Sequence, residues 1–108
     1  MTIKWSEQAT KELVRTAGYI QSEFGNRAKA HFIRSIQKTA NLLEENPSLG
    51  SAERFLSDEP VTYRSVVVGR LSKIIYYIHN DVIEIVDLWD TRREPKTQSK
   101  RLHEKPNQ

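Results

Sequence analysis

Residues 63–90 read YRSVVVGRLSKIIYYIHNDVIEIVDLWD. Three runs rich in β-branched and aromatic residues lie in this stretch: Tyr63 to Val68, Leu71 to His79 and Val82 to Trp89. Such side chains suit a pleated, half-buried surface. The runs are separated by Gly69-Arg70 and Asn80-Asp81, residue types that accept tight-turn conformations. Connections this short join antiparallel neighbours, so the stretch predicts a three-stranded meander. Strand side chains alternate between faces, which sends Tyr76 and Tyr77 to opposite sides. One is expected in a core and the other is free to stack on a base or pack a partner. Trp89 is expected in a core. Asp87 interrupts an apolar strand and either faces solvent or pairs with a base such as Arg64 or Lys73.

Working outward, Pro47 to Pro60 reads as a loop around one weak apolar pair, Phe55 and Leu56. Before it, Ala28, Phe32, Ile36, Ala40 and Leu43 recur at helical spacing, with Ile33 and Leu42 beside them. Ala9, Leu13, Ala17, Ile20 and Phe24 form an earlier stripe. Ser6 is placed to cap the first helix and Glu7 suits its positive end. Gly25 is placed to end that helix, Asn26 to cap the next, and Pro47 to stop it. So short a link predicts an antiparallel helical hairpin. Thr2 to Trp5 predicts a short strand that joins the meander. Each helix has one apolar face and the sheet must bury one of its own. The expected fold is therefore α+β: an N-terminal strand and two-helix hairpin packed on a mainly antiparallel sheet of about four strands. Residues 1–95 form one domain, and 96–108 read as a basic, flexible tail.

A chain of 108 residues, 37% hydrophobic and 29% charged, fits one globular domain. It has no cysteine, which excludes disulfides and thiolate metal sites. Lys4, Glu7, Lys11 and Glu12 break up the N-terminus, so no signal peptide is read there. No apolar run approaches the roughly 20 residues of a membrane span. The net charge is +3, but its distribution is uneven. Six bases (Arg92, Arg93, Lys96, Lys100, Arg101, Lys105) face two acids (Glu94, Glu104) at the C-terminal end. Such a segment attracts phosphates or an acidic protein segment.

No Gly-rich phosphate loop, Walker motif or HExxH occurs. His31, His79 and His103 lack metal-ligand spacing, so no metal site and no cofactor is expected. His31 reads as a surface or boundary residue and His79 as an exposed hairpin-end residue. The bases of the β half are more informative. Arg64 and Arg70 flank the first run, Lys73 lies in the second, and Arg92 and Arg93 leave the third. If they gather on one sheet face, they could bind a phosphate and stabilise charge building on it. Cutting RNA would also need a residue of adjusted pKa, such as Lys73, His79 or a tyrosine.

The order of strand, helical hairpin, loop, meander and basic end resembles the RelE/ParE toxins, the plasmid stabilisation protein family. NPSLGSAERF (46–55) is similar to that family's loop after its second helix. Residues 63–95 are similar to its meander, and DTRREP (Asp90 to Pro95) is the sharpest piece. The resemblance implies a cytoplasmic, growth-inhibiting toxin of a type II toxin–antitoxin system. A cognate antitoxin would hold it inactive by laying a segment over exposed apolar parts of the hairpin or the sheet edge. Two targets divide the family. RelE-like members cut messenger RNA on the ribosome, and on that reading Arg64, Lys73 and Arg92 are the catalytic bases. ParE-like members poison DNA gyrase without being nucleases, and on that reading Arg70, Arg92, Arg93 and Tyr77 meet the target. No tyrosine or histidine follows Arg93 until His103, whereas RelE-like members often place one shortly after the basic pair. The pattern therefore leans to the ParE side. A third reading is a non-toxic member that only binds its antitoxin.

Overall fold

The computed structural model describes residues 1–92 and 98. The chain forms β1 (Thr2–Trp5), α1 (Glu7–Phe24), α2 (Asn26–Glu45), β2 (Ser51–Ala52), β3 (Arg64–Val68), β4 (Ser72–His79) and β5 (Val82–Asp90). The sheet has five strands in the order β1-β5-β4-β3-β2. The expected α+β architecture is present, with one strand more than the sequence predicts. The addition is β2, two residues inside the expected loop that pair antiparallel with β3. β1 joins the sheet at the far edge, parallel to β5.

Ser6 caps α1 as expected. Its extended backbone (ψ 163°) lets Oγ accept from the Ala9 N–H at 3.0 Å. The same residue fastens the helix start to β5, since its N–H donates to the Ile85 carbonyl and its hydroxyl to the Val86 carbonyl. Gly25 ends α1 at φ 95°, a value that side chains resist. The expected cap of α2 is corrected. Gly25 itself is the N-cap of α2 and makes no side-chain cap bond. With Gly25 alone between the helices, Asn26 is already helical, and its side-chain oxygen accepts from Gln21 Nε2 at 2.7 Å.

One face of the sheet packs under the hairpin. Ala9, Ile36, Leu43, Val68, Ile74, Tyr76, Ile83, Ile85 and Leu88 form this core, with Leu13, Phe32 and Trp5 against it. Both helical stripes lie where the spacing puts them, but the first runs past the sheet and leaves Phe24 exposed. The spacing of Ile83, Ile85 and Leu88 is uneven, and strict alternation would send Leu88 to the wrong face. A register shift solves this. Ile75 pairs with Asp87 while Tyr76 pairs with Ile85, so Val86 is an extra residue. The bulge returns Leu88 to the helix side and turns Asp87 and Trp89 to the other.

The opposite face carries a second, smaller core of Leu56, Ile75 and Trp89, flanked by Tyr63 and Val86. Leu56 comes from a single 3-10 turn, Arg54–Leu56. The loop therefore acts as a strap across that face. At the β4–β5 turn, Asn80 and Asp81 take φ 50° and 62°, the mirror-image turn that tight hairpins use. Leu71, expected to open the second strand, belongs instead to the β3–β4 turn, because Val68 pairs with Ser72.

Candidate functional site

Tyr76 is the buried tyrosine of the pair. Its hydroxyl donates to the Pro47 carbonyl at 2.7 Å and accepts the Gly50 N–H at 2.9 Å. Arg64, directly across from Tyr76 on β3, donates to the Gly50 carbonyl at 2.6 Å. The two side chains thus fix the start of the strap from the helix side of the sheet. A Cβ on Gly50 would lie 2.7 Å from the Ser65 carbonyl oxygen and 2.8 Å from the Tyr76 ring, so this close approach needs glycine. Burial raises the Tyr76 pKa above its usual 10.0, although the Gly50 N–H and Arg64 pull it down. Folding therefore favours the protonated phenol. Its contribution is intact below pH of about 10 and is lost as pH rises through the higher folded value. The expected result is an alkaline fall in unfolding free energy that is shallower in Tyr76→Phe. Urea titrations between pH 8 and 11 measure it, and equal slopes in both proteins would refute it.

Lys73 lies on the other face, paired in register with Val67 and Trp89. Its ammonium grips both oxygens of Glu53, at 2.7 and 3.0 Å. Ser65 Oγ donates to the same carboxylate at 3.0 Å. The Glu53 side chain is only 4% exposed and that of Lys73 18%. The ammonium also stands 5.3 Å from the Trp89 ring centroid and 5.8 Å from that of Phe55. Arg54 stacks on the Phe55 ring at 4.7 Å. Asp87 is fully buried and accepts from Trp89 Nε1 at 3.0 Å and the Leu88 N–H at 2.9 Å. The solvent-facing alternative for Asp87 is thereby corrected. The bulge turns it inward, while Lys73 pairs with Glu53 and Arg64 with a carbonyl.

Arg92 reads quite differently. Its Nε and one terminal nitrogen grip Asp90 at 3.1 and 2.9 Å, and its N–H bonds the same carboxylate. Asp90 holds the guanidinium pKa above even its usual high value. The group lies 6.0 Å from the Tyr19 ring of α1. Thr91 bonds the Leu71 and Arg70 carbonyls, so Arg70 and Arg92 sit at one corner of the sheet, both exposed. Beside this corner a cleft of about 410 Å³ opens between α1 and the strand ends. Tyr19, Ile20, Phe24, Leu71 and Leu88 give it an apolar lining, with Arg15 and Arg92 also lining it.

The sheet thus separates Arg64 from Lys73, and Arg92 sits against α1, so these three bases do not gather on one face. Arg70 and Arg92 do come together. Tyr77 does not join them, because it lies toward the Asn80-Asp81 end of β4, edge-on to Tyr63 at 5.6 Å. His31 and His79 are exposed. Arg93, His103 and nearly all of the 96–108 stretch lie outside the described residues. Gln98 is described and is buried, exchanging hydrogen bonds with the backbone of Asp90. Glu53 went unnoticed in the sequence, where nothing sets it apart from Asp58 or Glu59. Among the described residues no group of three metal-ligating side chains occurs, and no helix is long and apolar enough to cross a membrane.

The hairpin-on-sheet architecture of the protein has counterparts among solved structures. Its structure is similar to a chromosomal ParDE toxin–antitoxin system from P. aeruginosa, with a TM-score of 0.69 and 16% identity over 83% of this chain and 95% of that one. It is also similar to the YoeB dimer from Staphylococcus aureus (TM-score 0.56, 17% identity, 82% of this chain and 94% of the other). A further likeness is to YafQ from E. coli strain BL21(DE3) (0.52, 18%, 83% and 92%). No curated protein sequence matches the chain. The model of the ParE toxin of type II toxin–antitoxin system parDE matches residues 3–95. The chain belongs to that family.

Proposed function

We propose that this toxin acts as a ParE-like inhibitor of DNA gyrase and is neutralised by a cognate antitoxin that covers its exposed apolar surface. The observation that carries this is the dispersal of the three bases a ribosome-dependent nuclease would need. Arg64 holds the strap from one face, Lys73 is clasped by Glu53 on the other, and Arg92 is gripped by Asp90 beside α1. A shared phosphate would require them to converge. The exposed corner of Arg70 and Arg92 is the contact we assign to the target, with Arg93, the next residue in the chain, as a further contact. The cleft beside α1 suits apolar side chains of the antitoxin.

Expression without antitoxin is expected to stop growth, with DNA breaks and inhibited supercoiling by purified gyrase, while messenger RNA 5′ ends stay unchanged. Translation-dependent cuts at codon spacing would overturn this in favour of the RelE-like nuclease. The absence of growth arrest would instead indicate a member that only binds its antitoxin. Arg70→Ala combined with Arg92→Ala is expected to weaken gyrase inhibition by at least about tenfold, the scale of one lost charge-assisted contact. Co-purification with the antitoxin should persist.

A further inference from the structure

A small cleft of about 220 Å³ lies between the 3-10 turn of the strap and the ends of β4 and β5. Arg54, Phe55, Lys73, Trp89 and Thr91 line it, together with Asp90 and the Gln98 that bonds its backbone. We propose that this cleft is a seat for a phosphate-type anion, which Lys73 and Arg54 hold while Phe55 supplies a ring face at the mouth. The proposal concerns binding and holds whichever target the toxin has.

The donors carry the argument. An ammonium has three N–H groups, and the Lys73–Glu53 bonds engage two of them. The lysine side chain is more exposed than the acid it grips, 18% against 4%, and it lines the cleft. A ligand can therefore reach the cation without unfolding the strap. Arg54 is exposed, and among the described residues its guanidinium has no carboxylate partner. Stacking on Phe55 leaves the edge of that guanidinium available to an oxyanion. Asp90 also lines the cleft, but its oxygens accept three N–H groups from Arg92, which offsets its charge. Size limits the occupant. Ordinary ligand pockets measure roughly 300–1,000 Å³, so a phosphate group fits here and a whole nucleotide does not. A base attached to that phosphate would rest outside, on Phe55, which is 38% exposed.

The test uses the full chain and its two tryptophans, Trp89 at the cleft and Trp5 against the hairpin core. Adenosine monophosphate, inorganic phosphate and adenosine are titrated while the two indole N–H resonances are followed. Adenosine monophosphate is expected to shift Trp89 and leave Trp5 still, and adenosine to shift neither. Arg54→Ala, a change at an exposed residue, should weaken binding about tenfold. Arg34→Ala, on the exposed side of α2, should leave it unchanged and so exclude a general charge effect. Equal binding of inorganic phosphate and the nucleotide supports the seat and assigns it to a free anion. Tighter binding of the nucleotide supports it with the base on Phe55. Equal binding of adenosine, no response of Trp89, or full affinity in Arg54→Ala overturns it.

Discussion

Lys73→Ala lowers the unfolding free energy by about 3–5 kcal/mol, because it leaves the Glu53 carboxylate buried without its cation. Few changes on the strap side of the sheet should cost as much. For a domain of this size that corresponds to a fall of well over 10 °C in midpoint, at about 4–8 °C per kcal/mol. The loss comes mostly from an uncompensated charge, not from the pair's own attraction. A double variant, Lys73→Met with Glu53→Leu, is therefore expected to recover most of the stability or exceed the parent. Urea unfolding of the three proteins settles it. If the double variant is as weak as Lys73→Ala, the ion pair itself contributes the stability and the argument from desolvation fails.

Trp89→Ala is the second large effect, with an expected loss of about 3–5 kcal/mol from the cavity alone. Trp89 is 1% exposed and fills the smaller core with Leu56 and Ile75. It also donates its indole N–H to buried Asp87. Trp89→Phe separates the two contributions, since it keeps a ring and removes the donor. About 1–3 kcal/mol is expected for that change, the cost of one fewer hydrogen bond to a buried carboxylate. Near-neutral stability of Trp89→Phe would mean that the hydrogen bond contributes little.

Much of the fold was legible because local rules and tertiary packing agree. Ser6, Gly25 and the Asn80-Asp81 turn each need a particular residue type for a local backbone reason, and the sequence supplies it. The helical stripes mark faces that pack where periodicity puts them. The bulge at Val86 was not legible, although the spacing of Ile85 and Leu88 hinted that simple alternation could not bury both. Nor was β2, whose two residues pair with β3 where Arg64 and Tyr76 hold the strap against the sheet. Glu53 was hidden for a different reason. Its importance comes from a cation 20 residues away, and loop composition carries no trace of that pairing.

The candidate bases illustrate the same point. Their membership of the β half could be read, but not their convergence. The register of β3 on β4 decides it. Arg64 lies an odd number of residues from Val67, the partner of Lys73, so the two bases face opposite sides, whereas the two-residue turn read from the sequence pairs Lys73 with Val66 and puts them on one face. The pairing of Arg70 with Arg92 depended on Thr91 bonding back to the β3–β4 turn, and no sequence pattern announces that contact.

The parallel pairing of β1 with β5 has a bearing on how the toxin emerges during synthesis. Ser6 and Val86, which seal that edge, are 80 residues apart. The first strand made must wait, unpaired, until the last described strand has left the ribosome. Contacts so distant in sequence close late, so the sheet is finished only when translation of this domain is almost over. A nascent chain therefore lacks its complete sheet for most of its synthesis. On the function proposed above, an antitoxin already present would meet it at the moment when its fold first becomes complete.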